Sequence, residues 1–267
     1  MNQTFHALLK EAAFTKEMLS AGASEIRNAN YATKGVYFQS FISLSTGLER
    51  IGKLSLILDY YIRHSGKFPG FEFLKKEIGH KLVLLYQKSQ SVVIERGFQF
   101  SYLKSLSDPT HTAIMDILHS FAEGDRYANI NYLVGSFQTD DPISRWFKEV
   151  DLPIFEKRVS IRKKAAIFGR AVMLAEAAKN WAVLFHTTET GSELTDFEEA
   201  SIRTGIFESV RQYRQFYVLQ IIRYWVELLG KLEGPARAIG REEIPYFSEI
   251  FAIFYNDDAL FRSRKTW

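Results

Sequence analysis

The chain has 267 residues, 46% hydrophobic and 24% charged, with a formal net charge of +3: enough apolar material for a sizeable packed core, and too small an excess of charge for a strong nonspecific nucleic-acid binder. It contains no cysteine, which excludes disulfide frameworks, Cys-ligated zinc, iron–sulfur clusters and thiol nucleophiles together. Against 22 Phe and 13 Tyr stand only 6 Pro, so the composition favours long helices and an all-α multi-helix bundle.

The opening residues, MNQTFHALLKEAAFTKEMLSAG, alternate polar and apolar, without the apolar run of a secretory signal. No stretch reaches the roughly eighteen uninterrupted apolar residues of a membrane span, so a cytoplasmic protein without membrane contact is expected. From Tyr37 the apolar positions Phe41, Leu44, Leu48, Ile51, Leu58 and Ile62 recur at steps of three and four, with Ser55 in the gap. They predict a long helix that stops at HSGKFPG. A second helix is expected with Phe71, Leu74, Ile78, Leu82 and Leu85 inward; Val92 to Leu106 has a β-branched start that suits a short strand, but among helical neighbours it is read as continued helix.

Asp108 followed by Pro109 is an N-cap before a first helical proline, with Ile114, Ile117, Leu118 and Phe121 inward and Gly124 ending the helix. Asp141 and Pro142 repeat the device. After Pro153 a single long helix is expected, its stripe formed by Ile161, Phe168, Val172, Ala175 and Val183. TTETGSEL reads as a loop, and Thr195 with Glu198 as a capping box that restarts helix. Phe207 to Leu232 carries a last periodic face through Val210, Tyr217, Ile221, Trp225 and Leu228, broken by Gly234 and Pro235. No repeat of fixed period is present. The weakest join lies between Thr139 and Pro153, giving units 1–140 and 141–267, the second packed on the first.

The common phosphate-loop, dinucleotide, zinc-protease and serine-hydrolase motifs are absent. The six histidines, His6, His64, His80, His111, His119 and His186, show no helical three- or four-residue pairing, so no metal site and no cofactor are expected. The adjacent Asp257 and Asp258 read as a solvated turn.

Glu49 and Lys53 stand four apart inside the apolar helix, in the order that favours an ion pair. Alone, such a pair is a surface feature worth about 0.3–0.5 kcal/mol. In sequence, however, STGLERIGKLSLILDYY, IGHKLVLLY and GDRYANI resemble the three signatures of the HEPN family of nucleotide- and nucleic-acid-associated helical domains, over roughly residues 35–135. The resemblance assigns Glu49 and Lys53 to the helix pair, His80 and Leu82 to an H-x-L step, and Arg126 and Tyr127 to an Arg-Tyr element. It implies nucleotide or RNA binding, homodimerisation, and a place in a prokaryotic defence, toxin–antitoxin or stress system.

The chemistry suits that ligand class: Lys53 and Arg126 offer charge and hydrogen bonds to phosphate, and Tyr127 a face for a base. Many HEPN proteins are ribonucleases with an Arg followed four to six residues later by His, but here no Arg has such a His. Asn131 after Arg126 cannot exchange a proton. A binding protein rather than an enzyme is therefore expected. A second group, Arg158, Arg162 and Lys163 on one helix with Arg211 and Arg214 on another, would make a basic groove if those helices were neighbours, with Tyr213 and Trp181 as stacking partners. The alternatives are a helical protein-interaction scaffold and a ribonuclease with a non-standard site.

Overall fold

The computed structural model describes residues 2–136, 141–178 and 182–267; Thr139 and Trp181 lie outside them. The chain is an all-α bundle with one small hairpin. Helix α1 (Gln3–Ile26) begins on Asn2, whose side chain accepts from the Phe5 N–H, and lies against α2 (Lys34–Arg63). The two helices meet where glycine lets them. A Cβ on Gly22 would fall 2.6 Å from Leu44 Cγ, and one on Gly47 2.7 Å from Leu19 Cδ2. Ser40 Oγ donates to the Gly22 carbonyl at 3.0 Å in the same contact.

The expected second helix is divided. A turn of α-helix, α3 (Phe71–Phe73), runs into a π-helical turn (Leu74–Ile78), and Gly79 at φ 68° stops it before α4 (Leu82–Glu95). Ile78, Leu82 and Leu85 are buried, but Phe71 is exposed. Residues 97–108 are irregular rather than helical. Gly97 at φ 63° closes α4, and the loop is then tied down by the Tyr86 hydroxyl, which accepts from the Leu106 N–H at 2.8 Å. Val92 and Val93 are buried in the last turn of α4, so their packing decides over their strand preference.

Helix α5 (Pro109–Glu123) starts on Asp108, which accepts from the Thr110 N–H, and ends at Gly124. A 3₁₀ turn (Asp125–Tyr127) and α6 (Ala128–Leu133) follow. Asp141 caps α7 (Pro142–Trp146), which continues through a π-turn (Phe147–Asp151) into α8 (Leu152–Arg158). The single long helix expected here breaks at Val159, whose backbone is extended, and resumes as α9 (Ile161–Ala178). Its apolar stripe is also reversed. Ile167 and Ala171 face inward because Gly205 leaves room for Ile167 alone, while Ile161, Phe168 and Val172 face out and Val183 beyond the helix is exposed.

The segment read as a loop holds a hairpin, β1 (His186–Thr187) with β2 (Glu193–Leu194). Asp196 then caps α10 (Phe197–Ile239) by accepting from Glu198 N–H, one residue beyond the capping box expected at Thr195. Nor do Gly234 and Pro235 end this helix. Pro235 forfeits one backbone N–H, but Leu232 and Ala236 are fully buried on either side and Glu233 accepts from the Ser248 N–H at 2.7 Å.

Every residue from Arg214 to Leu229 of α10 is buried. The helix is the axis of the molecule, contacted by α1, α2, α4, α5, α8 and α9 and by the C-terminal elements α11 (Phe247–Ile250) and α12 (Asp258–Ser263). One hydrophobic core runs from Ala12 to Phe261 across position 140. The last segment belongs to it through Phe247, Phe251, Phe254 and Phe261. Asp257 and Asp258 are not a free turn: Asp257 caps α12, and Asp258 accepts from Arg223 at 2.7 Å. No described helix is long and apolar enough to cross a membrane.

Candidate functional site

Glu49 and Lys53 form the expected ion pair, 2.6 Å long and partly exposed. His80 is exposed just after Gly79. Its neighbour Lys81 lies 3.5 Å from Glu123 at the end of α5, which ties the His80 segment to the turn bearing Arg126 and Tyr127. There the Arg126 guanidinium lies over the Tyr127 ring at 5.0 Å, both side chains facing solvent. Among the described residues, no hydrogen bond or ion pair joins Glu49 or Lys53 to His80, Arg126 or Tyr127.

The basic groove comes apart. Helices α9 and α10 are neighbours, as it required, but Arg214 is not on their surface. It is 1% exposed, its Nη2 donates to Asp151 Oδ2 at 2.6 Å, and its Nη1 donates to the Ala29 carbonyl at 2.7 Å. Burial on the inner face of α10 removes it from any ligand. Arg211 is half-buried over Phe207, and only Arg162 and Lys163 remain exposed on α9. Arg158 turns the other way, off the end of α8, toward Tyr217.

That turn leads to the most developed polar site, a cleft of about 330 Å³ between the residue 103–108 loop and α5, α8, α10 and α12. Arg158 Nη2 and Nε donate to the Tyr217 hydroxyl at 2.7 and 3.2 Å. Across the cleft Arg262 lies over the Phe216 ring at 5.9 Å. Tyr213 completes an aromatic wall. Both carboxylates of the cleft are engaged. Asp108 caps α5 and lies 3.5 Å from Lys157, and Asp258 takes Arg223 and the Gln220 amide. Asp108 titrates below the ordinary carboxylate range: burial alone would raise it, but Thr110 and Lys157 outweigh that. Neither Arg158 nor Arg262 has a carboxylate partner among the described residues. Asp108 still acts on Arg158 through space, so the cleft presents two guanidiniums without a direct carboxylate contact, in company with two carboxylates.

His111 forms the buried floor. Gln220 Nε2 donates to Asp258 at 3.3 Å, which leaves Gln220 Oε1 as the acceptor 3.0 Å from His111 Nε2. The ring must then carry its proton on Nε2, and Nδ1 is a buried acceptor without a partner. Burial pushes the imidazole pKa down, so it is neutral at pH 7.

Of the cleft residues, Arg158 and Tyr213 stand out in the sequence as candidate ligand contacts, whereas His111, Gln220, Asp258 and Arg262 do not. A signal existed for two of them. His111 shares the inner face of α5 with Ile114 and Leu118, and Gln220 stands inside the apolar run Phe216–Ile222 of α10; polar residues at such positions call for partners. No family model, curated protein or solved structure matches the chain. Among the described residues, no cluster of His, Asp and Glu could hold a metal ion.

Proposed function

We infer that the protein binds a phosphate-bearing ligand, a nucleotide or an RNA segment, in the cleft between α5, α8, α10 and α12, and does not cleave it. The observation that carries this reading is the pair Arg158 and Arg262, guanidiniums on one cleft that rest against a phenol and a ring and have no carboxylate partner among the described residues. Guanidinium groups in that condition suit phosphate, and Tyr213 and Phe216 offer faces for a base. Binding without chemistry is supported by His111, whose Nδ1 is enclosed and whose Nε2 proton is committed to Gln220.

The resemblance of residues 35–135 to HEPN domains points to the same ligand class through Lys53, His80, Arg126 and Tyr127, and adds the expectation of a defence, toxin–antitoxin or stress role. Calorimetric titration with AMP, adenosine, inorganic phosphate and a short single-stranded RNA tests the proposal. Binding of AMP or RNA with adenosine inactive supports it. Absence of binding to every phosphate-bearing probe refutes it.

A second reading, protein association, is favoured by the outward faces of α6 and α9. Ile130, Leu133 and Val134, and Phe168, Val172, Met173 and Leu174, are large apolar side chains left in solvent. A second copy of the chain is the occupant this reading names. Sedimentation of the wild type as a dimer and of Phe168→Glu/Met173→Glu as a monomer would support it, and a monomeric wild type would end it.

A further inference from the structure

Two residues of α12 reach the polar cleft one helical turn apart. Asp258 and Arg262 stand at i and i+4, where side chains on a helix are neighbours with Cβ atoms about 5–6 Å apart, and both line the cleft. Among the described residues they nevertheless form no ion pair with each other.

The reason lies beneath Asp258. Arg223, 1% exposed, donates to Asp258 Oδ1 at 2.7 Å and to the Asn256 carbonyl at 2.6 Å. Its guanidinium also lies over the Tyr102 and Phe261 rings, at 3.9 and 4.8 Å. Gln220 Nε2 donates to Asp258 Oδ2 at 3.3 Å and is itself held by His111. Buried donors thus fix the carboxylate from below, while Arg262 lies over the Phe216 ring.

Asp258 is fixed and yet open. Its side chain is 44% exposed, and each of its oxygens, able to accept two hydrogen bonds, has a single donor among the described residues. Two neighbouring acceptors remain for a ligand. Arg223 already balances the charge of the carboxylate, so a further cation gains little there, whereas two adjacent hydroxyls satisfy both oxygens without adding charge. One turn away Arg262, and across the cleft Arg158, call for an anion. A phosphate and a vicinal diol separated by one sugar ring are the two ends of a ribose 5-phosphate.

We propose that the ligand of this cleft is a ribonucleoside monophosphate, its 2′ and 3′ hydroxyls donating to Asp258 and its phosphate meeting Arg262 and Arg158. The assignment rests on the phosphate-binding reading of the cleft and adds the sugar to it. Asp258 is then the residue that selects ribose, and Arg223 and Gln220 position it. The cleft volume of about 330 Å³ is at the small end of ligand sites, which favours one nucleotide over a chain.

The test is calorimetric titration of the full chain with AMP, 2′-deoxy-AMP, 2′,3′-dideoxy-AMP and a short single-stranded RNA. The wild type is expected to bind AMP about tenfold or more tightly than the dideoxy nucleotide, the loss that goes with a hydrogen bond to a charged group, with 2′-deoxy-AMP between them and the RNA weaker than AMP. Arg262→Ala should weaken all three nucleotides by a common factor and keep their order. Asp258→Ala, verified as folded by circular dichroism, should bind the three alike; if it does not fold, the wild-type series decides by itself. Equal affinity of the wild type for AMP and 2′,3′-dideoxy-AMP, tighter binding of the RNA than of AMP, or an undiminished preference in folded Asp258→Ala would each overturn the proposal and leave the phosphate reading standing. Absence of binding to every one of these ligands would end both.

Discussion

Alanine at Gly22 and alanine at Gly230 should move stability in opposite directions. Both glycines lie inside helices, where alanine is intrinsically better by about 1 kcal/mol. At Gly230 nothing stands within 4 Å of the new methyl, so most of that gain should be realised. At Gly22 the methyl would lie 2.6 Å from Leu44 Cγ and 3.0 Å from the Leu44 backbone nitrogen. Leu44 is fully buried, so the α1–α2 interface itself must part. Overpacking of this kind costs about 1–3 kcal/mol. Set against the propensity gain, the net loss is about 1 kcal/mol, and the two variants should differ by about 2 kcal/mol. Urea unfolding at equal denaturant slopes measures the difference directly. A chain of this length shifts its melting temperature by about 2–4 °C per kcal/mol. If Gly22→Ala proves as stabilising as Gly230→Ala, the close approach of α1 and α2 is wrong.

Three further outcomes follow from buried and half-buried polar groups. Arg214→Met leaves Asp151 buried without its ion partner and the Ala29 carbonyl without its donor, a loss of about 3–5 kcal/mol; the loss should be greater at pH 8 than at pH 5 in denaturant melts, because burial already raises the Asp151 pKa and an unpaired carboxyl is tolerated only when protonated. His111 has its folded pKa depressed by burial, so its stability contribution is present above the unfolded value near 6.5 and is lost as pH falls through the folded value. The stability difference between pH 7 and pH 5 should therefore shrink in His111→Gln. Asp108→Ala removes the cap that accepts from Thr110 N–H and should cost about 1 kcal/mol by chemical denaturation.

Periodicity and capping chemistry made much of this architecture legible. The faces of α2 and α10 and the starts at Asp108–Pro109 and Asp141–Pro142 are local properties, decided within a few residues. Where packing between distant segments decides, the pattern misleads. On α9 the large residues Phe168 and Val172 keep helical spacing yet face outward, because the inward contact is set by Gly205 on another helix. Pro235 is carried inside α10 by burial of its neighbours, which no local rule anticipates. The polar cleft is of the same kind. His111, Arg158, Gln220 and Asp258 come from four separate stretches, and only the return of the C-terminal segment against α10 assembles them. Arg214 shows the converse: a cation in a basic-looking helix whose partner, Asp151, lies 63 residues away.

The most direct test of the proposed function is the affinity for AMP of Arg158→Ala/Arg262→Ala beside that of Lys53→Ala/Arg126→Ala, each variant first verified as folded. Loss of a charge-assisted hydrogen bond to phosphate is worth about 1.5–3 kcal/mol, so the cleft variant should bind at least about tenfold more weakly while the surface variant keeps wild-type affinity. Wild-type affinity in the cleft variant, with the loss confined to Lys53→Ala/Arg126→Ala, would contradict the cleft as the binding site.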